Sequence, residues 1–201
     1  MADDKQGRDD QAHDEANRQR AREVEEALER GDEPEPEPVA DPETVAALES
    51  ALEPLEYPAT GSDIVAAVGD AEITAGAETL HVAELIADEP VESFGSPTAV
   101  LERVERPTVA RAMKRIAEAS SDRRDGRLRG SQQEAYEKTF AALAAIDTVD
   151  ENAPVAAVAD WVVGRISETG ALPGSRAVRR QAAAHCRDHG YQVQSDEWLG
   201  V

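Results

Sequence analysis

The sequence predicts a mainly α protein with two small helical regions behind a flexible N-terminal arm. Three observations predict it. From residue 43 onward, apolar residues recur at i, i+3, i+4 and i+7 in one stretch after another, the spacing that places them on one helical face. Gly, Pro, Ser and Asn fall between these stretches, where helices stop and start. Strand-like patterning is confined to one short segment near 71–82, compatible with a small β-hairpin.

Residues 1–42 form a polar arm and linker. Glu, Arg, Gln and Ala are good helix formers, so a helix from about Asp10 to Arg30 is expected, stopped by Gly31, with an apolar stripe too narrow to bury by itself. Asp32 to Pro42 alternates Glu with Pro, and fixed φ angles together with charge repulsion make it a stiff linker.

The first helical region spans 43–120. Val45, Leu48, Leu52 and Leu55 mark a helix that Pro54 ends, and Tyr57 to Gly61 reads as a turn. Ser62 or Asp63 is expected to cap a short helix over Ile64 to Val68, closed by Gly69. Ala71 to Thr74 and Thr79 to Val82 flank the tetrad Ala75-Gly76-Ala77-Glu78 of the hairpin. Ser96 as cap and Pro97 at the first helical position start the next helix, and Arg106-Pro107 starts the one after it. In that last helix Val109, Met113 and Ile116 face a core, while Arg111, Lys114 and Arg115 lie on the opposite side.

A loop from Ser120 to Gly130 leads to the C-terminal helical region, 131–201. Ser131-Gln132-Gln133-Glu134 has the pattern of a capping box, and Tyr136, Phe140, Leu143 and Ile146 follow at helical spacing to an end near Thr148. Asn152 is positioned to cap a helix carrying Val155, Val158, Val162 and Ile166. Ser175 is positioned to cap a last one with Val178, Ala182 and Cys186 inward, which Gly190 stops. Tyr191 to Val193 suits a short extended piece, and Trp198 and Leu199 are expected to tuck onto the helices.

Charge separates this chain from most others. It carries 42 acids against 21 bases, a formal net charge of -21, and 18 of the bases are Arg. Such a surface repels nucleic acid and anionic membranes over most of its area. An acidic, Lys-poor, Ala/Val-rich composition points to a cytoplasm with concentrated salt. There is no apolar run of about 18 residues and no charged-then-apolar leader, so a cytoplasmic protein without a membrane span is expected. The single Cys186 has no internal disulfide partner, in keeping with a reducing compartment.

Catalytic patterns are missing from the sequence. His185 and His189 stand at i, i+4 beside Cys186, but a zinc site needs further ligands and no second Cys exists. There is no Gly-x-Ser-x-Gly elbow and no phosphate-binding Gly-rich loop. The expectation is therefore a protein that is not an enzyme, with no cofactor and no metal.

What stands out instead is Pro107 to Gly130, which holds seven of the 21 bases and only three acids. The expected contact surface for another macromolecule is Arg111, Lys114, Arg115, Arg123, Arg124, Arg127 and Arg129, in an interaction or regulatory protein with a protein partner. The alternative is a nucleic-acid-associated regulator. Helices 152–166 and 175–189 then form a helix-turn-helix-like pair, with Arg176, Arg179 and Arg180 added to the basic island. Against it, the connector exceeds the usual three or four residues, and 131–201 has ten acids against six bases. In molar salt the Debye length falls to about 3 Å, so only short, bidentate Arg contacts could hold either complex.

The opening MADDKQGRDDQAHDEANRQRAREVEEALERGDEPEPEP, the LEYPATG turn, HVAELI, SFGSP and RPTVARAMKRI occur in that order. Together they resemble a family of uncharacterised haloarchaeal proteins known only as a domain of unknown function, over about residues 1–120. The resemblance implies a salt-in archaeal cytoplasm and brings no activity, cofactor or site residue.

Overall fold

Pro42 fixes the first helical φ of α1 (Pro42–Leu52), and Asp41 caps it by accepting from the amides of Glu43 (2.8 Å) and Thr44 (3.4 Å). Leu48 and Leu52 are buried, and the helix stops short of Pro54, as its spacing predicts. The computed structural model describes residues 40–121, 123, 126–146 and 152–191. The expected arm helix and most of the linker, the helix end near Thr148, Val193, Trp198 and Leu199 lie outside the described residues.

Strand β1 (Ala59–Thr60) pairs antiparallel with β4 (Ser93–Phe94). Thr60 then starts α2 (Gly61–Val68) in a reciprocal cap: its hydroxyl accepts from the Asp63 amide (3.2 Å), and Asp63 accepts from the Thr60 amide (2.9 Å). The cap is therefore Thr60 and not Ser62 or Asp63. Thr60 is the last extended residue before the helix, with φ -82 and ψ 165, and Asp63 is its partner one turn on. The Thr60 hydroxyl, which also donates to Asp63 Oδ2 (2.6 Å), and then the Thr60 amide hold the Asp63 carboxyl below its usual range.

The hairpin forms from β2 (Glu72–Ala75) and β3 (Glu78–His81), with Ile73 opposite Leu80 on the buried face. Its turn is tighter than the expected tetrad. Ala75 pairs with Glu78, so only Gly76 and Ala77 form the loop, and Gly76 supplies the positive φ of 61° that the two-residue turn needs. Two strands alone are marginal. Here Ala40 bridges Ala75, the Asp41 amide donates to Thr74 O (2.7 Å), and β3 runs directly into the short helix α3 (Val82–Leu85).

Ser96 caps α4 (Pro97–Val104) with Pro97 in its first turn, as the sequence predicts, its hydroxyl accepting from the Ala99 amide (3.3 Å). The chain continues through α5 (Pro107–Ser120), α6 (Gly130–Ala144), α7 (Ala153–Thr169) and α8 (Ser175–His189). Eight helices and two antiparallel two-stranded sheets make up the described residues, 64% of which are helical. Every residue of the stripes Tyr136/Phe140/Leu143/Ile146, Val155/Val158/Val162/Ile166 and Val178/Ala182/Cys186 is buried.

Two cap expectations fail in the C-terminal helices, and a third holds in position only, since Asn152 is the N-cap residue of α7 but makes no side-chain bond there. Ser131 is inside α6 and exposed, Asn152 and Ser175 make no side-chain cap, and Gly174 holds the capping position of α8. Asn152 is engaged elsewhere, its Oδ1 accepting from the Thr108 hydroxyl (2.9 Å) on α5.

Two apolar clusters organise these elements. One joins α1, α2, the hairpin, α3 and α4 around Leu52, Ile64, Ile73 and Phe94. The other joins α5 to α8 around Met113, Ile116, Tyr136, Phe140 and Val162. Helix α5 serves both, with Ala110 in the first and Val109, Ala112, Met113, Ile116 and Ala117 in the second.

A buried polar cluster ties α4 to α6. Arg103 Nη1 donates to Glu92 Oε2 (3.1 Å), and its Nε (3.0 Å) and Nη2 donate to Glu137 Oε1 on α6. The guanidinium also lies 5.3 Å from the ring centre of Phe94. Burial pushes the Glu92 carboxyl up against the opposing pull of Arg103.

Candidate interaction surface

The basic face expected on α5 is engaged within the molecule. Its position follows from the sequence: with Val109, Met113 and Ile116 buried, Arg111, Lys114 and Arg115 project over the neighbouring elements. Arg111 Nη2 reaches Glu78 Oε2 on the hairpin (3.2 Å), and Arg115 pairs with Asp160 on α7. Lys114 Nζ donates to the carbonyls of Ala83 (2.5 Å) and Ile86 (3.4 Å) and pairs with Glu118 (3.3 Å). Those carbonyls lie at the C-terminal end of α3, which has no intrahelical donors to offer them, so Lys114 completes that helix. Exposed ion pairs of this kind contribute at most about 1 kcal/mol each. Their consequence is geometric, because each guanidinium or ammonium already has its acceptor.

The loop behaves in the opposite way. Its residues 126–129 are anchored: Leu128 is buried among the residues of α5 to α8, and its amide donates to Val91 O (2.8 Å). Gly126 is buried too, and a Cβ there would come 1.8 Å from Ser120 O, so only glycine fits this close approach. Around these anchors Arg123, Arg127 and Arg129 are exposed, and none has an ion pair among the described residues. Arg124 lies outside the described residues.

Helix α8 supplies a second set of arginines. Arg176, Arg180 and Arg187 are exposed, Arg179 is half-buried with its Nε lacking an acceptor, and none of the four has an ion pair among the described residues. The connector Gly170 to Gly174, with Gly170 at φ 72°, is fixed to the start of α6, where Gln132 Nε2 (3.0 Å) and the Tyr136 hydroxyl both donate to Pro173 O. Burial pushes the Tyr136 phenol up to about 12. These bonds bring the first turn of α8 beside the first turn of α6, the helix that Arg129 precedes. Sequence separation concealed this: Arg129, just before α6, and Arg176, in the first turn of α8, belong to helix starts that lie side by side.

Two other features bear on chemistry. A cavity of about 150 Å³ between α5 and α7 has a floor of Ala112, Val155, Ala156 and Ala159, with Arg111 and Arg115 at its rim. At the end of α8, the His185 and His189 rings stand 4.1 Å apart, His189 stacks on Tyr191, and Cys186 is buried. Desolvation, then the neighbouring His189, holds His185 below the ordinary histidine range. Among the described residues no group of three or more His, Cys, Asp or Glu could hold a metal ion, and no helix is long and apolar enough to cross a membrane.

Residues 42–116 match a family of unknown function (DUF5789). No curated protein and no solved structure matches the chain significantly. The matched segment runs from α1 to Ile116 in α5. It contains Arg111, Lys114 and Arg115 together with Glu78, Ala83 and Ile86, whereas the loop and α6 to α8 lie beyond it.

Proposed function

We propose that this chain is a non-enzymatic interaction or regulatory protein of a salt-adapted cytoplasm that binds another macromolecule through the basic loop. Arg123, Arg127 and Arg129 form its contact surface, with Arg124 as the fourth expected member. One observation carries the reading: the α5 cations have acceptors inside the molecule, while Arg123, Arg127 and Arg129 have none among the described residues, and Arg127 and Arg129 flank the anchored Leu128. An anchored backbone at 126–129 loses less freedom when its side chains are ordered by a partner. Arg presents a planar fork that binds carboxylate bidentately, the kind of short contact that survives in strong salt.

The reading is tested by retention from native lysate at high salt, with the tagged chain as bait and an unrelated acidic protein as control. A specific partner should be retained by the natural chain and lost from R123A/R127A/R129A with the thermal midpoint unchanged. Equal retention by that variant, or nothing retained above the control, overturns the proposal.

A further inference from the structure

We infer that the exposed arginine stripe of α8, joined to the loop arginines at the start of α6, is a docking face for the phosphodiester backbone of a nucleic acid. This rests on the interaction reading above and gives it a partner class. At 100° per residue, Arg176, Arg180 and Arg187 fall within an arc of about 40°, and over about 16 Å of helix axis. The one acid of the helix, Asp188, lies about 100° round from the middle of that stripe. Acids on the two helices packed against α8 are mostly engaged elsewhere: Glu137 with Arg103, Asp160 with Arg115, Glu168 with Arg165. Glu134 on α6 is the exception among the described residues.

Among the described residues the charge is divided. Residues 40–121 contain sixteen acids and five bases, whereas the described residues of 126–191 contain five acids and eight bases. Asp147, Asp150, Glu151, Asp196 and Glu197 lie outside the described residues. Counting those acids, 126–201 holds ten acids against eight bases, so a polyanion is drawn to the local arginine stripe of α8 and not to the segment as a whole.

The surroundings of the stripe favour phosphate over an acidic protein. Protein interfaces are anchored by large side chains in desolvated pockets. On the helical wheel the stripe is flanked by Ala183 and Arg179 on one side and by Ala184 and Ala177 on the other, with no large apolar side chain among them, so attraction there is by charge and hydrogen bond. Duplex DNA presents one charge per about 1.7 Å of axis, dense enough to meet all three arginines at once.

The test uses the full chain and three labelled probes: a short DNA duplex, a single-stranded RNA and poly-glutamate. Binding is followed by fluorescence anisotropy from low to molar potassium chloride. The duplex or the RNA should bind, and R176A/R180A/R187A should reduce the slope of log affinity against log salt by about 3 for duplex or about 2 for single strands. R111A/R115A, which removes cations already paired, should leave the slope unchanged. An unchanged slope in the stripe variant overturns the inference, as does binding of poly-glutamate alone. If neither nucleic acid binds while the loop-dependent partner is still retained from lysate, the inference fails and the interaction reading stands; loss of both removes both. Should the triple variant unfold, R180E alone serves, with at least a tenfold loss of nucleic-acid affinity expected at low salt.

Discussion

Replacing Arg103 with Met removes a guanidinium that meets Glu92 at 3.1 Å, Glu137 through two nitrogens and the Phe94 ring at 5.3 Å, while keeping most of the buried volume. Glu92 has no exposure and Glu137 is partly exposed, so the substitution leaves one carboxylate buried without compensation. Breaking a buried pair in this way costs about 3–5 kcal/mol. In a protein of this size each kcal/mol lowers the thermal midpoint by roughly 2–4 °C, giving a fall of roughly 6–20 °C. The loss depends on pH with a definite sign. Burial raises the Glu92 carboxyl in the folded state, so the folded state binds that proton more tightly than the unfolded chain. Stability from this group is present below the unfolded value and is lost as pH rises through the folded one. Without Arg103 its lowering influence goes as well, so R103M should be hurt more at about pH 8 than at about pH 5. Adding E92Q, which removes the buried charge, should recover part of the loss. Urea unfolding of the natural chain, R103M and R103M/E92Q at both pH values measures this. A cost below about 1 kcal/mol, or a cost independent of pH, refutes the reasoning that the cluster is buried and charged.

Leu128→Ala should destabilise by about 2–5 kcal/mol and speed cleavage of the 120–130 loop by an Arg-directed protease, because it removes the loop's one large anchor; unchanged cleavage and stability would mean that Leu128 is not buried. The Tyr136 phenol, pushed up to about 12, should be the last tyrosine to ionise in a spectrophotometric titration. Its raised value means that stability falls as pH climbs through that range, and Y136F should abolish the late step. His185 should titrate below the ordinary histidine range by NMR; since its folded form resists the proton, stability from it is lost as pH falls, and H189A should move its titration upward.

Helices were legible where a single periodicity decided them. Tyr136, Phe140 and Leu143, or Val155, Val158 and Val162, lie on one stripe in the sequence and in one cluster in the fold, because burial of an apolar face needs no knowledge of its partner. Ser96-Pro97 was legible for a similar reason: cap and first-turn chemistry are local. Caps failed where a non-local partner competed, as with Asn152, which accepts from Thr108 across two helices. The basic island was legible as a run of charge but not as two populations. Nothing in residues 107–130 alone shows that Glu78, Ala83 and Asp160 come to meet Arg111, Lys114 and Arg115. Leu128 could have been noticed as the one large apolar residue between Ser120 and Gly130, and its burial anchors residues 126–129. Glu92 and Arg103 gave no sign, since charged residues are rarely buried and their pairing spans α4, the β4 segment and α6.

The most direct measurement compares two charge-neutralised variants side by side for thermal midpoint and for retention of the high-salt partner. R111A/K114A/R115A should lower the midpoint by a few degrees, because internal acceptors lose their donors, and should retain the partner. R123A/R127A/R129A should keep the midpoint and lose the partner. The reverse pattern, with retention lost from the α5 variant at an unchanged midpoint, would contradict the division of these arginines into structural and contact groups.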